Sequence, residues 1–187
     1  MQNDYITILL INMAAGLLIF AHYVLLGMGR ANQKGWVPAF GAVGLVAFCV
    51  GLHMTLTWPI PGKYAWANVA YGEMSVLLGA AFLAGALAVA YARYLVPVSL
   101  YALFAGIAAI VLGVFIARNG LTNQPTVAAA GFLLTGAAGA FLPLVALLGR
   151  GVFVRVVEAI IAAAAAIIWL IVGYGAYWQH MVNLAGQ

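Results

Sequence analysis

Acidic side chains are scarce: three Asp and Glu among 187 residues, alongside three histidines and a single cysteine. Charged residues make up 5% of the chain, against roughly 25% in an ordinary soluble domain. That scarcity excludes several chemistries. One cysteine, Cys49, forbids an internal disulfide, and its apolar neighbours make it a small hydrophobe. No His-Glu-x-x-His, Gly-x-Ser-x-Gly or phosphate-cradling glycine loop occurs. The net charge of +4 never gathers into a basic patch interleaved with aromatics, so nucleic acid is not expected as a partner. Polar stretches are too short to build a substrate pocket of their own, and the chain reads as non-catalytic.

What it has instead is apolar length. Hydrophobic residues make up 67%, and the mean hydropathy is +1.15. A bilayer core needs about 20 apolar residues per spanning helix. Six stretches of residues 1–187 meet that length: 6–28, 37–56, 71–92, 96–117, 126–148 and 152–178. The first follows Asp4 rather than Lys or Arg and is too long for a signal peptide, so it reads as a retained helix. The sixth is long enough to tilt or to project into water. The expected fold is all-α, a single six-helix transmembrane bundle with short loops.

Basic residues orient it. Arg30, Lys34, Arg93, Arg150 and Arg155 fall on one side, Lys63 and Arg118 on the other. The excess marks the cytoplasmic face and leaves both termini outside, as expected for a prokaryotic cytoplasmic membrane. Trp58, Tyr64, Trp66, Tyr71, Tyr177 and Trp178 would ring the outer interface, with Trp36 and Tyr94 at the inner one. Lipid supplies no hydrophobic force between helices, so packing must come from close backbone approach. Small residues are spaced for it at 79–85, 136–140 and 162–166. Gly79 and Gly136, like Arg93 and Arg150, recur 57 positions apart, which suggests a repeated two-helix unit. Pro143 should kink the fifth helix.

The loop after the second helix carries the most pattern: Thr57-Trp58-Pro59-Ile60-Pro61-Gly62-Lys63-Tyr64, followed by Tyr71-Gly72-Glu73. Two prolines and a glycine fix a backbone that must leave the helix, and Trp58 and Tyr64 would anchor it among headgroups. An ordered outer hairpin is expected. Here the chain resembles a prokaryotic family of multi-pass membrane proteins, domain of unknown function 981 (DUF981). That family carries a Thr-Trp-Pro-Leu-Pro-Gly-type hairpin followed by Gly-Glu or Gly-Asp. Ile60 stands for the usual leucine, and Ala65-Trp66 for an expected asparagine near the tyrosine. The resemblance implies an architecture and no activity.

Few residues are left to carry chemistry. His53, Glu73 and His180 share one level at the outer rim, with Asp4 close by, and nitrogen and oxygen donors of this kind suit a divalent metal. A plainer assignment makes Glu73 a helix cap that fixes the loop. Haem would need two ligands at one depth. His22 and His53 differ by about 15 Å, which leaves His53 with His180. Cys49 and His53, four apart, would suit copper. On the inner side Arg155 and Glu158, three apart, should form an ion pair, and His22 and Tyr23 could join Glu158 in a proton relay. Asn12 should make an interhelical hydrogen bond.

The expected function is an accessory or structural subunit of a larger membrane assembly, contacting lipid and other membrane subunits or copies of itself. The alternative is a protein binding a metal, haem or quinol headgroup at the outer His/Glu site. A small transporter or channel is the weaker reading, because nothing polar lines a continuous path.

Overall fold

Inside a bilayer every backbone amide must find its partner within its own segment, so each apolar run has to become a helix. A computed structural model describes residues 5–92, 94–148 and 151–186. Asp4, Arg93 and Arg150 lie outside the described residues. Helix α1 spans Tyr5–His22 and continues as a π-helical turn, Tyr23–Gly27. A short turn at Lys34–Trp36 leads into α2, Val37–Thr57. The hairpin loop follows, then a π-helical turn at Asn68–Glu73 that opens α3, Met74–Ala90. Helices α4, Val96–Asn119, and α5, Pro125–Leu148, complete the middle of the chain. The last, α6, runs through Val152–Ala185. All six are long and apolar enough to span a membrane.

Two boundaries differ from expectation. The third helical segment starts three residues early, because a wide turn through polar Asn68 extends it. The sixth continues past Trp178 because hydropathy measures lipid, not hydrogen bonding. Beyond that point polar residues support a solvated helix, and Gln179 Nε2 donates to Asn183 Oδ1 at 3.1 Å. Proline at position 143 is accommodated within α5.

Each helix packs on its neighbours in sequence, and α6 closes back on α1, so the six form a ring. Three antiparallel pairs, α2–α3, α4–α5 and α6–α1, have the most extensive contacts. The joints between α1 and α2 and between α3 and α4 are the thinnest.

The close pairs rest on glycine. A Cβ on Gly79 would strike the carbonyl of Gly44 and the amide of Phe48; one on Gly136 would strike the carbonyl of Gly106 and the amide of Ile110. A second crossing repeats the pattern: Gly51 lies against the Gly72 carbonyl and Val76 amide, Gly113 against the Ala129 carbonyl and Leu133 amide. The spacing of 57 positions therefore belongs to the packing: α2–α3 and α4–α5 repeat one contact geometry. In the third pair Gly173 sits on Leu10 and Ile11.

One end of the ring holds the start of α1, the end of α6 and the hairpin loop; it is called here the termini end, and the opposite one the far end. Asn12 Nδ2 donates to the Val43 carbonyl at 3.0 Å, the expected interhelical bond. Large side chains such as Leu45, Phe104, Val111, Ile160 and Ile171 point outward and exposed, as a lipid-facing surface requires.

Candidate functional site: an apolar cavity and its polar flank

The middle of the ring is not filled. A cavity of 140 Å³ lies between α1, α2, α3, α4 and α5, with a wall almost entirely of carbon. Two chains of aromatic rings flank it. Toward the termini end run Trp66, Tyr71, Phe132 and Trp169, with successive centroids 6.3, 5.7 and 5.0 Å apart. Toward the far end run Phe82, Phe40, Tyr23, Trp36 and His22, at 5.7, 5.0, 5.6 and 5.3 Å. Phe132 borders the cavity from one group; Phe82, Phe40 and Tyr23 border it from the other. The T-shaped contacts within each group suit the ring quadrupoles and add stability beyond area burial.

Local sequence explains how the rings fit. Trp169, fully buried, lies over Gly131, where a Cβ would meet its indole at 2.6 Å. Its Nε1 donates to Thr135 Oγ1 at 2.8 Å. Trp36 sits against Gly27 in the same way. Tyr23 donates its hydroxyl to Gln33 Oε1 at 2.6 Å, tying the far-end loop to the ring. Thr135 and Tyr23 are the cavity's polar lining residues, and their hydroxyls are engaged with Trp169 and Gln33. Nothing in composition marks these aromatics as a group; a mid-membrane aromatic beside a glycine on the next helix is the signal that finds them.

The outer-rim expectation resolves differently. His53 is exposed and stacks on Tyr5, 5.4 Å between centroids. His180 lies exposed on the projecting part of α6, and Glu73 is half-buried at the start of α3. The three share an end of the bundle but are not brought together. Among the described residues no three His, Cys, Asp or Glu side chains gather closely enough to hold a metal ion. Cys49 faces outward. His22 and His53 stand at opposite ends, as their depths required.

Glu73 is not the cap of α3: its side chain makes no capping hydrogen bond. The hairpin is fixed by Asn68 instead, fully buried at the mouth of the ring. Its Oδ1 accepts the Ile60 amide at 3.2 Å, and its Nδ2 donates to the carbonyls of Ile60 and Ala65 at 2.7 and 3.0 Å. One amide holds both edges of the loop, which no carboxylate could do. Around it, Trp58 takes a left-handed conformation at φ 49° and Gly62 one at 65°. Pro59 and Pro61 flank Ile60, and Lys63 lies over the Tyr64 ring at 4.9 Å. The loop is ordered as expected.

The inner ion pair does not form. Arg155 turns away from Glu158 and donates through Nε to the Val24 carbonyl and through Nη2 to the Leu25 carbonyl at 2.7 Å. Those carbonyls belong to the last turn of α1, where helix ends leave acceptors without partners. Arg155 therefore caps α1 from α6, and a cation there also suits the helix dipole. Glu158 is completely buried, and neither carboxyl oxygen has a hydrogen-bond partner. Its helix face continues through Ala162, Ala165 and Trp169, all fully buried, so this stripe of α6 packs against the neighbouring helices. Sequence spacing paired the two residues; rotation about the helix, set by what α1 needs, separates them.

A solved structure shares this architecture. The urea channel of Helicobacter pylori, determined by cryo-electron microscopy in a closed state, superposes with a TM-score of 0.71 at 14% identity, covering 93% of this chain and 98% of that one. At that identity the likeness establishes the fold alone. No curated protein matches the sequence. The family model described as "Protein of unknown function (DUF981)" matches residues 1–183.

Proposed function

We propose, for a chain that belongs to the DUF981 family of proteins of unknown function, that it is a channel for small uncharged solutes, closed in the state described. The observation that carries this reading is the apolar cavity inside a ring of six membrane-spanning helices, with a group of packed aromatic side chains toward each end. The fold it shares with a urea channel supports the same reading. An ion would have to leave water for a carbon-lined chamber, at a cost of many kcal/mol. A small neutral molecule sheds far less hydration. Lys34 and Arg30 at the far end support a cytoplasmic orientation for that end.

Catalysis is not part of this reading, and a channel agrees with the scarcity of polar side chains that also suggested an accessory subunit. The two differ in what the purified protein does alone. In liposomes under a hyperosmotic urea gradient, stopped-flow light scattering should record solute entry faster than in protein-free vesicles. Phe40→Ala and Phe132→Ala, which remove a ring from each stopper, should raise it further. Rates equal to those of empty vesicles for the wild type and for the doubly substituted protein would overturn the channel reading. Stable co-purification with other chains would then favour the accessory subunit.

A further inference from the structure

A carboxyl group buried without one hydrogen bond is a costly feature, and native proteins keep few of them. Glu158 is such a group, set about two turns into a membrane-spanning helix. Acids at that depth are functional by default, and Arg155, the one nearby cation on α6, is engaged elsewhere. The antiparallel register of α6 with α1, pinned by Arg155 on Val24 and Leu25, sets Glu158 at the level of Phe20 and Tyr23. The register with α5, pinned by Trp169 on Thr135, sets it at the level of Leu142 and Val145. Phe20, Tyr23 and Leu142 all line the cavity. Glu158 therefore stands one layer behind the far-end wall of the lumen, on the buried stripe of α6.

We propose that Glu158 is the solute-binding station of the conducting state, accepting the N–H groups of a small neutral amide or urea once the far-end aromatic stopper moves aside. The inference rests on the channel reading and adds to it a residue and a ligand chemistry. A wall of carbon holds little for a polar solute, and the Thr135 and Tyr23 hydroxyls are already engaged with Trp169 and Gln33. A carboxylate presents two acceptor oxygens, which N–H groups on the two nitrogens of a urea match bidentately, as a guanidinium does. A neutral carboxyl pairs one acceptor oxygen with one O–H donor, which suits the N–H and C=O of an amide. In the closed state the station has no hydrogen-bond partner from the protein, which penalises closure; the conducting state relieves it. The orphaned acid and the conducting solute thus supply what each other lacks.

The test uses the whole protein in liposomes and two solutes: urea, with N–H donors, and dimethyl sulfoxide, with none. Glu158→Leu should cut urea permeability about tenfold, the value of a hydrogen bond to such a group, and leave dimethyl sulfoxide unaffected. Glu158→Gln, which keeps an acceptor oxygen, should retain most of the urea flux. Glu158→Leu should also melt higher than the wild type, since it removes an unpaired polar group from the interior. Equal losses for both solutes, or none for urea, would overturn the proposal. Isotope-edited infrared spectroscopy reads the same site without conduction. Saturating urea should shift the Glu158 carboxyl band of the wild type, and a band indifferent to urea overturns the station. A shifted band without urea flux would retain the binding site and sink the channel instead.

Discussion

Asn68 shows what one side chain is worth where loop meets membrane. It satisfies the amide and carbonyl of Ile60 and the carbonyl of Ala65 from a fully buried position. Asn68→Ala would leave the amide and carbonyl of Ile60 without this partner, at a cost on the order of 1–3 kcal/mol for each that water cannot reach, while the Ala65 carbonyl keeps the backbone amide of residue 68. Trypsin should then cut after Lys63 much faster than in the wild type, while Glu73→Gln, which disturbs no cap, should leave cleavage unchanged. Arg155 carries a comparable burden at the other end. Arg155→Ala would release the last carbonyls of α1, and amide hydrogen exchange should rise in residues 23–28 before anywhere else in the bundle. Trp169→Phe removes an interhelical hydrogen bond, worth about 0.6 kcal/mol in a membrane protein, and also the indole carbons seated over Gly131. Its thermal melt should fall, by the hydrogen bond plus the cost of the void left behind.

Between elements, glycine decides which helices meet. Gly79 and Gly136 sit where a Cβ would collide with backbone atoms of the neighbouring helix, which cannot rotate aside as a side chain can. Gly79→Val or Gly136→Val must push a pair of helices apart and forfeit their packing, the main force between helices in lipid. Either variant should lose its monodisperse peak in detergent gel filtration. Gly175 is the control: a Cβ there meets nothing within 4 Å, so Gly175→Ala should gain about 1 kcal/mol of helix propensity or stay neutral. The equivalence of the α2–α3 and α4–α5 crossings means that a matching defect in one hairpin should cost about as much as in the other. Comparing the melting temperatures of the two valine variants checks it. Both π-helical turns lie beside polar anchors, Tyr23 next to Gln33 and Asn68 next to Ile60. Wide turns of this sort are common at functional sites.

For the molecule as a whole, the ring and its stoppers set two properties against each other. The aromatic groups that flank the cavity are also much of the core, so enlarging it by mutation must cost stability. Phe132→Ala should lower the melting temperature, at about 3–5 kcal/mol for a large core truncation, while raising solute permeability. A variant that lost stability with no gain in flux would mean that Phe132 packs the core without stopping the path. The cavity, lined by carbon and close in size to apolar cavities that stay dry and bind xenon, should show bound xenon in pressurised crystals.

Sequence alone determined the number of crossings, their approximate limits, the ordered hairpin and the family. Each of these follows from local rules: a run of apolar residues in lipid must be a helix, and Pro-Ile-Pro-Gly cannot continue one. The 57-residue recurrence of glycine was also legible, though its meaning required knowing which backbone each glycine touches. Only the tertiary structure decided the partners. Glu73 and Asn68 are both plausible anchors by position, but one buried amide can bond to both edges of a loop and one carboxylate cannot. Arg155 and Glu158 are three apart on any helix; the unpaired carbonyls of α1 draw the arginine away and leave the acid alone. A lumen, too, is a property of six helices closing on themselves, and it depends on distances between residues far apart in the chain, which no local rule contains.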